Sequence, residues 1–293
     1  MTGEIIRCAR EAGAVTAAFA PCHPVDDQNC AIFDSWLESG NAAGLEYMRR
    51  YGDIRRDPRL LLDGAKSILC CAFPYGQSHN GSLFSDYALG DDYHEVLRRR
   101  LTAVASMMES LVAGSATRIC VDTAPIRERY WAQQAGIGFI GLNNQLIVPG
   151  VGSKVFLAEV LWTSAADYGR PVGNDCVGCG ACVRCCPGKA LDGRGHIDCR
   201  KCLSYLTIEH RDELPTGLRL NDKIYGCDIC QDVCPHNRHT VSPLPEFLPR
   251  PAVVGLTRED ISAMTQEQFS AIFTHSAVKR AKLAGLQRNA KQG

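Results

Sequence analysis

Cysteine is the residue type whose number and spacing most clearly indicate chemistry in this chain of 293 residues, which contains 16 cysteines. The run from Cys176 to Pro187 contains the spacing C-x2-C-x2-C-x3-C-P. In this arrangement three thiolates from one tight loop bind a four-iron, four-sulfur cluster, and the fourth binds a second cluster. The small residues Gly178, Gly180 and Ala181 leave room for the sulfides. The run therefore predicts a segment that holds two clusters.

A second motif, from Cys227 to Pro235, repeats the C-x2-C and x3-C-P spacings, but Ile224 stands where a complete run would have its first cysteine. Cys202, between the two motifs, is the best replacement. The predicted ligands of the first cluster are Cys176, Cys179, Cys182 and Cys234. Those of the second cluster are Cys186, Cys202, Cys227 and Cys230.

A pair of structural zinc sites is the alternative, because C-x2-C pairs also suit tetrahedral zinc. Zinc motifs usually separate their two pairs by a dozen or more residues, and a three-cysteine loop followed by Cys-Pro fits that geometry poorly. Cys185 and Cys199 fall outside the repeated pattern and are interpreted as bystanders. The other cysteines are interpreted as small buried hydrophobic residues: Cys8, Cys22, Cys30, Cys70, Cys71 and Cys120.

The elements that must position this chemistry alternate between helix and strand patterns. The apolar runs Ser67–Phe73 and Phe156–Trp162 predict buried strands. Helical spacing of apolar residues predicts helices over Tyr93–Ala113 and Ile126–Gln134. Near the C-terminus Thr257 opens a helix with capping-box spacing, and a further helix is expected over residues 276–291. The predicted domains are a catalytic domain at 1–164, a two-cluster domain at 165–245 and a basic helical tail at 246–293.

Charge and hydropathy argue against a membrane protein and against binding to nucleic acid through overall charge. Lys plus Arg and Asp plus Glu both number 32, so no bulk charge draws the chain to nucleic acid or membrane. Charged residues interrupt the first 20 residues, and no apolar run approaches the roughly 20 residues of a membrane span. A cytoplasmic location without membrane contact is expected. In that reducing compartment cysteines serve as metal ligands rather than disulfides.

Besides the two cysteine motifs, landmark segments lie along nearly the whole chain: Arg55–Ser67, Tyr87–Leu97, Val121–Pro125, Gly152-Ser153, Cys202–Glu209, Tyr225–Cys230 and Ser276–Arg280. With these segments, in this order, the chain resembles the epoxyqueuosine reductases. That family consists of iron-sulfur and cobalamin enzymes of tRNA queuosine synthesis and is related to reductive dehalogenases.

The resemblance implies an α+β fold, in which an α/β cobalamin-binding domain like that of the reductive dehalogenases precedes a ferredoxin-like domain with two 4Fe-4S clusters. It implies reduction of the epoxide of epoxyqueuosine in tRNA with two electrons, two protons and loss of water. Asp122 aligns with the proton donor of the family's Asp-x-x-Pro motif. Such an acid needs a pKa raised by an apolar site. Without the resemblance, a turn or cap residue is the simpler interpretation of Asp122.

The resemblance also implies contacts to the corrin, its side chains or the substrate. These candidate residues are Arg55, Tyr93, His94, Arg129, Asn143, Ser153, Ser204 and Thr207. The chain departs from the family at Leu142, where lysine is common, so a cation is missing from that pocket. An external low-potential electron donor is the other implied partner, and a monomer is expected.

Two basic runs are candidates for gripping tRNA phosphates, although solvated helix faces explain them equally well. They are Arg98, Arg99 and Arg100, and the C-terminal set Lys279, Arg280, Lys282, Arg288 and Lys291. The resemblance implies that longer family members continue into helical repeats that help hold tRNA. Weaker tRNA affinity, or a dependence on these basic runs, is therefore expected here. Two other functions stay open: a cobalamin-free ferredoxin-like electron carrier, and a reductive dehalogenase, which usually carries a twin-arginine export signal not found in this sequence.

Overall fold

The computed structural model describes residues 1–76, 81–238 and 241–292. A four-stranded antiparallel sheet has the strand order β1-β2-β6-β3. Its strands are β1 (Thr16–Pro21), β2 (Ser67–Pro74), β3 (Thr117–Cys120) and β6 (Val155–Trp162). A short hairpin pairs β4 (Phe139–Ile140) with β5 (Leu146–Ile147). Residues 77–80, 239–240 and 293, which the predicted domains include, lie outside the described residues.

The two central strands are almost wholly apolar because helices cover both faces of the sheet. Every residue of β2 is buried, as are most residues of β6. Neither strand shows the polar alternation of a sheet with one wet face. The strands predicted over Ser67–Phe73 and Phe156–Trp162 are confirmed.

Helices α1 (Thr2–Glu11) and α5 (Tyr93–Leu111) pack on one face, where their apolar side chains share a core with β1, β2 and β6. Helices α2 (Asp27–Glu38) and α6 (Glu128–Gln134) pack on the other face. Asp92 caps α5 by accepting a hydrogen bond from the backbone N–H of His94. The helices predicted over Tyr93–Ala113 and Ile126–Gln134 are confirmed with slightly shorter bounds. Two short helices, α3 (Glu46–Arg49) and α4 (Gly52–Arg56), lie between α2 and β2.

The cysteine-rich segment contains only short helices among its described residues. They are α7 (Ala181–Cys185), α8 (Leu203–Ile208) and α9 (Ile229–Asp232), with 3-10 turns at Cys199–Lys201 and Pro235–Asn237. Its own apolar core centres on four leucines: Leu203, Leu206, Leu214 and Leu220.

The C-terminal part adds α10 (Pro251–Val254), α11 (Arg258–Ala263), α12 (Gln266–Ile272) and α13 (Lys282–Ala290). The capping box of Thr257 with Asp260 is present. The expectation of one helix over 276–291 is wrong, because Lys282 has φ 61° and ψ 163°, and this non-helical backbone separates a 3-10 turn at Ala277–Ala281 from α13. Further 3-10 turns lie at Pro58–Leu61, Asp86–Ala88 and Pro245–Phe247.

The C-terminal helices share a core with earlier parts of the chain. Phe84 and Leu89 pack in the same cluster as Tyr225, Phe273 and Leu286. The predicted domain boundaries at residues 164 and 245 stay a prediction. Across 1–76, 81–238 and 241–292, every helix is too short or too polar to cross a bilayer.

Candidate functional site

Four of the predicted cluster ligands line one cavity. Cys176 and Cys179 come from the loop that leads into α7, Cys182 lies in the first turn of α7, and Cys234 precedes the 3-10 turn at Pro235. Gly178 and Gly180 have φ values of 64° and 66°, a left-handed conformation that glycine adopts without strain and that curls the loop. The rest of the lining is largely apolar and includes Leu142, Ile147, Val177 and Ala181. The structure thus brings together the four cysteines predicted for the first cluster.

The other four predicted ligands also lie within electrostatic reach of one another. Burial, followed by the nearby Cys202, Asp228 and Cys186, raises the pKa of the Cys227 thiol to about 12. Burial and the same neighbouring cysteines raise the pKa of Cys230. Backbone N–H groups already point at two sulfurs of this group: Ala190 N lies 3.2 Å from Cys186 Sγ, and Tyr205 N donates to Cys202. Buried thiols of this kind lose their protons when a metal supplies the compensating charge.

The two groups of cysteines are neighbours. Cys182 of the first group adds to the raised pKa of Cys230 in the second, which requires the two sulfurs to be close. Cys185 is exposed and borders a different hollow with Pro187 and Leu203, while Cys199 is buried. Within the described ranges, no three His, Cys, Asp or Glu side chains converge tightly enough to hold a single metal ion.

A second constellation forms where β3 ends and α5 begins. The chain leaves β3 and turns sharply at Asp122, whose φ is 51°, with Thr123 N donating to Val121 O over 2.5 Å. His94, in the first turn of α5, lies with Nε2 3.0 Å from Asp122 Oδ2 and with Nδ1 2.6 Å from Asp92 Oδ1. The imidazole thus bridges two carboxylates, because the α5 cap and the end of β3 meet at this point.

The two carboxylates set the charge of His94. Burial lowers its pKa, but hydrogen bonds and charge from Asp122 and Asp92 outweigh burial and raise the pKa to about 9. His94 is therefore protonated at neutral pH. For Asp122, desolvation raises the pKa, and the hydrogen bond and charge of His94, helped by Tyr93, more than offset it, so that the pKa is lowered. Desolvation is the largest single influence on Asp122, but the lowering contributions of His94, Tyr93 and Arg280 together exceed it.

The raised pKa expected of Asp122 as a proton donor beside an apolar cofactor stays a prediction. An apolar surrounding would keep this carboxyl neutral. The structure instead places a protonated imidazole against the carboxylate, which favours its charged form. At neutral pH the proton of this pair resides on His94.

Glu128 is a further residue of this constellation that the sequence did not predict. Its Oε1 accepts a 2.7 Å hydrogen bond from the backbone N–H of Asp122. Burial, followed by the charge of Asp122, raises the pKa of Glu128 to about 8. The available signal was weak, because an acidic residue in the first turn of a helix usually reflects the helix dipole alone.

Arginines and a tyrosine surround this acid-histidine constellation. Arg55 Nη2 donates to Tyr47 O over 3.2 Å, while its buried Nε has no hydrogen-bond partner within residues 1–76, 81–238 and 241–292. Arg129 donates to the carbonyl of Asn144. The guanidinium of Arg280 lies 5.8 Å from the ring centre of Tyr47, and its charge contributes to the lowered pKa of Asp122.

Three predicted contact residues lie at the junction with the cysteine-rich segment. Asn143 Nδ2 donates to Cys230 O over 3.4 Å, and Ser153 Oγ donates to Gln231 Oε1 over 3.0 Å. The Thr207 hydroxyl is buried, donates to Leu203 O over 2.7 Å and accepts from Gly226 N over 2.9 Å. Ser204 is half-buried on α8. The structure therefore gathers Arg55, Tyr93, His94, Asp122 and Arg129 at one site and holds the others nearer the cysteines.

Two parts of the chain match family models. Residues 55–123 match the model described as epoxyqueuosine reductase QueG, DUF1730, and residues 175–237 match a 4Fe-4S double cluster binding domain. The epoxyqueuosine reductase of Cellulophaga algicola is 37% identical to this chain over 90% of the chain and 88% of that protein. The chain belongs to the epoxyqueuosine reductase family. It is thus an oxidoreductase of that family with a domain that binds two 4Fe-4S clusters.

Solved structures of epoxyqueuosine reductases have the same fold. One, bound to an epoxyqueuosine-modified stem loop of tyrosine tRNA, superposes with a TM-score of 0.90 at 28% identity, covering 98% of this chain and 79% of that one. A Bacillus subtilis epoxyqueuosine reductase, with a TM-score of 0.89, 28% identity and the same coverage, was solved with a catalytic loop that contains an aspartate swung out of the active site. The predicted α+β fold with a two-cluster domain is confirmed.

Several of the basic residues proposed for tRNA contact have structural partners. Arg288 donates to the carbonyls of Leu206, His210 and Asp212. Arg100 forms a bidentate pair with Glu246, and Arg280 does so with Glu209. Arg98 donates to Thr123 Oγ1 over 2.6 Å, and Arg99 lies 3.4 Å from Glu246. The lysines of the C-terminal set, Lys279, Lys282 and Lys291, are exposed.

Proposed function

We propose that the chain reduces the epoxide of epoxyqueuosine in tRNA to give queuosine, with two 4Fe-4S clusters and cobalamin as redox cofactors. The observation that carries this proposal is the junction between the cysteines and the acid-histidine constellation. Tyr47 lies within electrostatic reach of both Asp122 and Cys199. Arg129 beside Glu128 donates to Asn144, and the adjacent Asn143 donates to Cys230. A redox group held by the cysteines would therefore lie next to the proton-holding pair.

The cysteines fit two cubane clusters. Each group supplies four sulfurs, the lining of the first group is apolar, and N–H groups already point at sulfurs of the second. Clusters bound there would supply electrons singly from an external low-potential donor. The ligands in this proposal are Cys176, Cys179, Cys182 and Cys234 for one cluster, and Cys186, Cys202, Cys227 and Cys230 for the other.

The side chains gathered around Asp122 suit a large ligand edged with amide groups, as cobalamin is. The buried Arg55 Nε lacks an acceptor among the described residues, and a buried unsatisfied donor is costly unless a ligand satisfies it. Tyr93 presents a ring that stacks on Phe156 at 4.3 Å and on His94 at 4.0 Å. Arg55, Tyr93, His94 and Arg129 are the residues we propose to hold the cofactor, which would supply two-electron chemistry. Asn143, Ser153, Ser204 and Thr207 would shape the side nearer the cysteines.

The protein itself must deliver a proton to the departing epoxide oxygen. Removing that oxygen as water takes two electrons and two protons. Asp122 with His94 stores one of these protons at neutral pH, and solvent supplies the other. An apolar ligand placed over the exposed side of Asp122 would exclude water and disfavour the charged pair. The proton then moves from His94 Nε2 to Asp122, which can donate it.

Arg280, one of the C-terminal basic residues, lies beside Asp122 and Tyr47. Arg280 contacts Tyr47, and Lys279 and Lys282 are exposed on either side of it in the sequence. These cations would hold the phosphates of the tRNA loop, so binding should weaken as salt is raised.

The test is reconstitution of the purified chain with iron and sulfide under anaerobic conditions, followed by addition of cobalamin and of tRNA that carries epoxyqueuosine. We expect roughly eight irons per chain and queuosine formation, detected by mass spectrometry of tRNA nucleosides, that requires cobalamin. Bound zinc in place of iron would overturn the proposal. Protein that binds two clusters but forms no queuosine when cobalamin is added would be identified as an electron carrier instead.

A further inference from the structure

We infer that Glu128 is the positioning residue that holds the Asp122 turn in the orientation needed for proton transfer, an inference that rests on the proposed function. The supporting contact is direct. Glu128 Oε1 accepts the Asp122 backbone N–H over 2.7 Å, and Glu128 is the first residue of α6. A rigid helix thus fixes the peptide that carries the proposed acid.

The turn at Asp122 needs such support. Its φ of 51° is in the left-handed region, which non-glycine residues enter at a cost. The 2.5 Å hydrogen bond from Thr123 N to Val121 O closes a three-residue γ-turn, and γ-turns with positive φ are rare and strained. Strained backbone of this kind persists only where surrounding contacts fix it.

Contacts from two helices fix the turn. His94 on α5 holds the Asp122 carboxylate at 3.0 Å, and Arg98, one turn further along α5, donates to Thr123 Oγ1 over 2.6 Å. Glu128 alone among the described side chains accepts the Asp122 N–H. Its loss would leave the peptide of Asp122 untethered while the carboxylate kept its contact with His94.

A glutamate suits this task because it can be neutral there. A second charged carboxylate beside Asp122 would repel it, whereas a protonated Glu128 still accepts through its carbonyl oxygen. The raised pKa of Glu128, about 8, agrees with a neutral group at pH 7. Glutamine has the same shape and the same acceptor oxygen, but it cannot supply a proton. Glu128→Gln therefore separates positioning from proton donation.

The experiment compares Glu128→Gln and Glu128→Leu with a matched control, Glu109→Leu. Glu109 Oε1 also accepts a backbone N–H, that of Thr117 over 3.0 Å, at the opposite end of β3. Hydrogen-deuterium exchange of peptides covering residues 121–127 reports the turn in the cluster-loaded protein. Steady-state kinetics with epoxyqueuosine tRNA and cobalamin report its consequence.

We expect Glu128→Leu to accelerate exchange at the Asp122 amide and to lower kcat by roughly 10- to 100-fold with KM within about twofold, because a small misplacement of a reacting group is enough for such a loss. Glu128→Gln should restore slow exchange and keep kcat within about threefold of the parent, as the same acceptor remains. Glu109→Leu should change neither the hydrogen-deuterium exchange of residues 121–127 nor kcat.

Two results would overturn the inference: parental exchange and kcat in Glu128→Leu, or a loss in Glu128→Gln as large as in Glu128→Leu, which would make Glu128 a proton donor. If Glu128→Leu does not fold, Glu128→Asn withdraws the acceptor with a shorter amide and should show the same faster exchange. A parent protein that forms no queuosine would defeat the proposed function, whereas the exchange comparison would still decide whether Glu128 holds the turn.

Discussion

The four-stranded sheet and the cysteine-rich segment differ in how much of their own side-chain surface they bury. Every residue of β2 is buried, and helices on both faces add two large apolar cores. The segment that holds the proposed cluster ligands has helices of four to six residues and a buried core of four leucines. Helices this short are not stable by themselves. The sheet is thus ordered by hydrophobic burial, whereas the segment needs metal ligation to reach comparable stability.

The two regions therefore contribute different parts of the proposed site. The sheet region fixes Asp122, His94 and Glu128 through strand ends and helix starts, which do not depend on a cofactor. The cysteine-rich segment supplies redox ligands at a distance set by a few hydrogen bonds, such as Asn143 to Cys230. Loss of the clusters should therefore disorder one region and spare the other.

The largest expected effect comes from removing one cluster ligand and leaving its neighbour. Cys186→Ser should lower bound iron from roughly eight to roughly four per chain, because one 4Fe-4S cluster loses a ligand. Exchange should become fast across the cysteine-rich segment and stay slow in β2 and β6. Iron analysis with hydrogen-deuterium exchange measures both.

Cys185→Ser is the matched control, since Cys185 is the adjacent residue and is exposed. It should keep full iron and parental exchange. Equal iron loss in the two variants would show that the ligand assignment within the first motif is wrong.

Asp122→Asn should have the next largest effect and should act on the sheet region alone. Asparagine keeps the size of the side chain but cannot donate the stored proton, so turnover should fall by roughly 100-fold or more, the usual scale of general acid catalysis. Iron content and cobalamin binding should remain at parental values. Queuosine formation measured by nucleoside mass spectrometry gives the comparison.

The control is Asp63→Asn. Asp63 is exposed and lies between the 3-10 turn at Pro58–Leu61 and β2, so this variant should retain parental turnover. If Asp122→Asn were equally active, Asp122 would have to be withdrawn as the proton donor and the His94 pair would lose its proposed role.

A smaller effect is expected from His94→Gln, on stability and its pH dependence. The pKa of His94 is raised from 6.5 to about 9, so its ion pairs stabilise the folded state fully below about pH 6.5, and this contribution is lost as pH rises through about 9. The parent should exceed His94→Gln in free energy of unfolding by on the order of 2 kcal/mol at pH 6. The difference should approach zero at pH 10. Urea unfolding followed at several pH values measures it, and a difference that stays constant with pH would exclude the charged pair as its source.

The two regions also differ in how far the sequence alone predicts them. Cysteine spacing is local, and the structure brings Cys176, Cys179 and Cys182 to one cavity with Cys234 as the repeated pattern suggests. The apolar runs of β2 and β6 are likewise unbroken and predict buried strands directly. Each of these signals is contained within about a dozen residues of sequence.

The contacts of Asp122 are not encoded by any such local sequence pattern. They depend on where β3 ends relative to the first turns of α5 and α6, which no spacing encodes. From the sequence, Asp122 is identified only through a family resemblance, its contact with His94 is not predicted, and Glu128 has no role. Arg288 shows the same limit, because a basic residue in a basic run gives no sign that three carbonyls accept its hydrogen bonds.

The smallest expected effect concerns Leu142, which joins the two regions. It lies in the loop between β4 and β5 and lines the cavity of Cys176, Cys179, Cys182 and Cys234. Leu142→Lys would place a positive charge beside a cluster that gains negative charge on reduction. Its reduction potential should therefore rise by tens of millivolts, as expected for one partly screened charge. Redox titration followed by electron paramagnetic resonance measures the reduction potentials of both clusters in one sample.

Leu142→Met, of similar volume and without charge, is the control and should leave both reduction potentials unchanged. A shift confined to the cluster of Cys186, Cys202, Cys227 and Cys230 would contradict the position of Leu142 at the first cavity, whereas a shift confined to the other cluster would show that a residue of the sheet region tunes the redox segment directly.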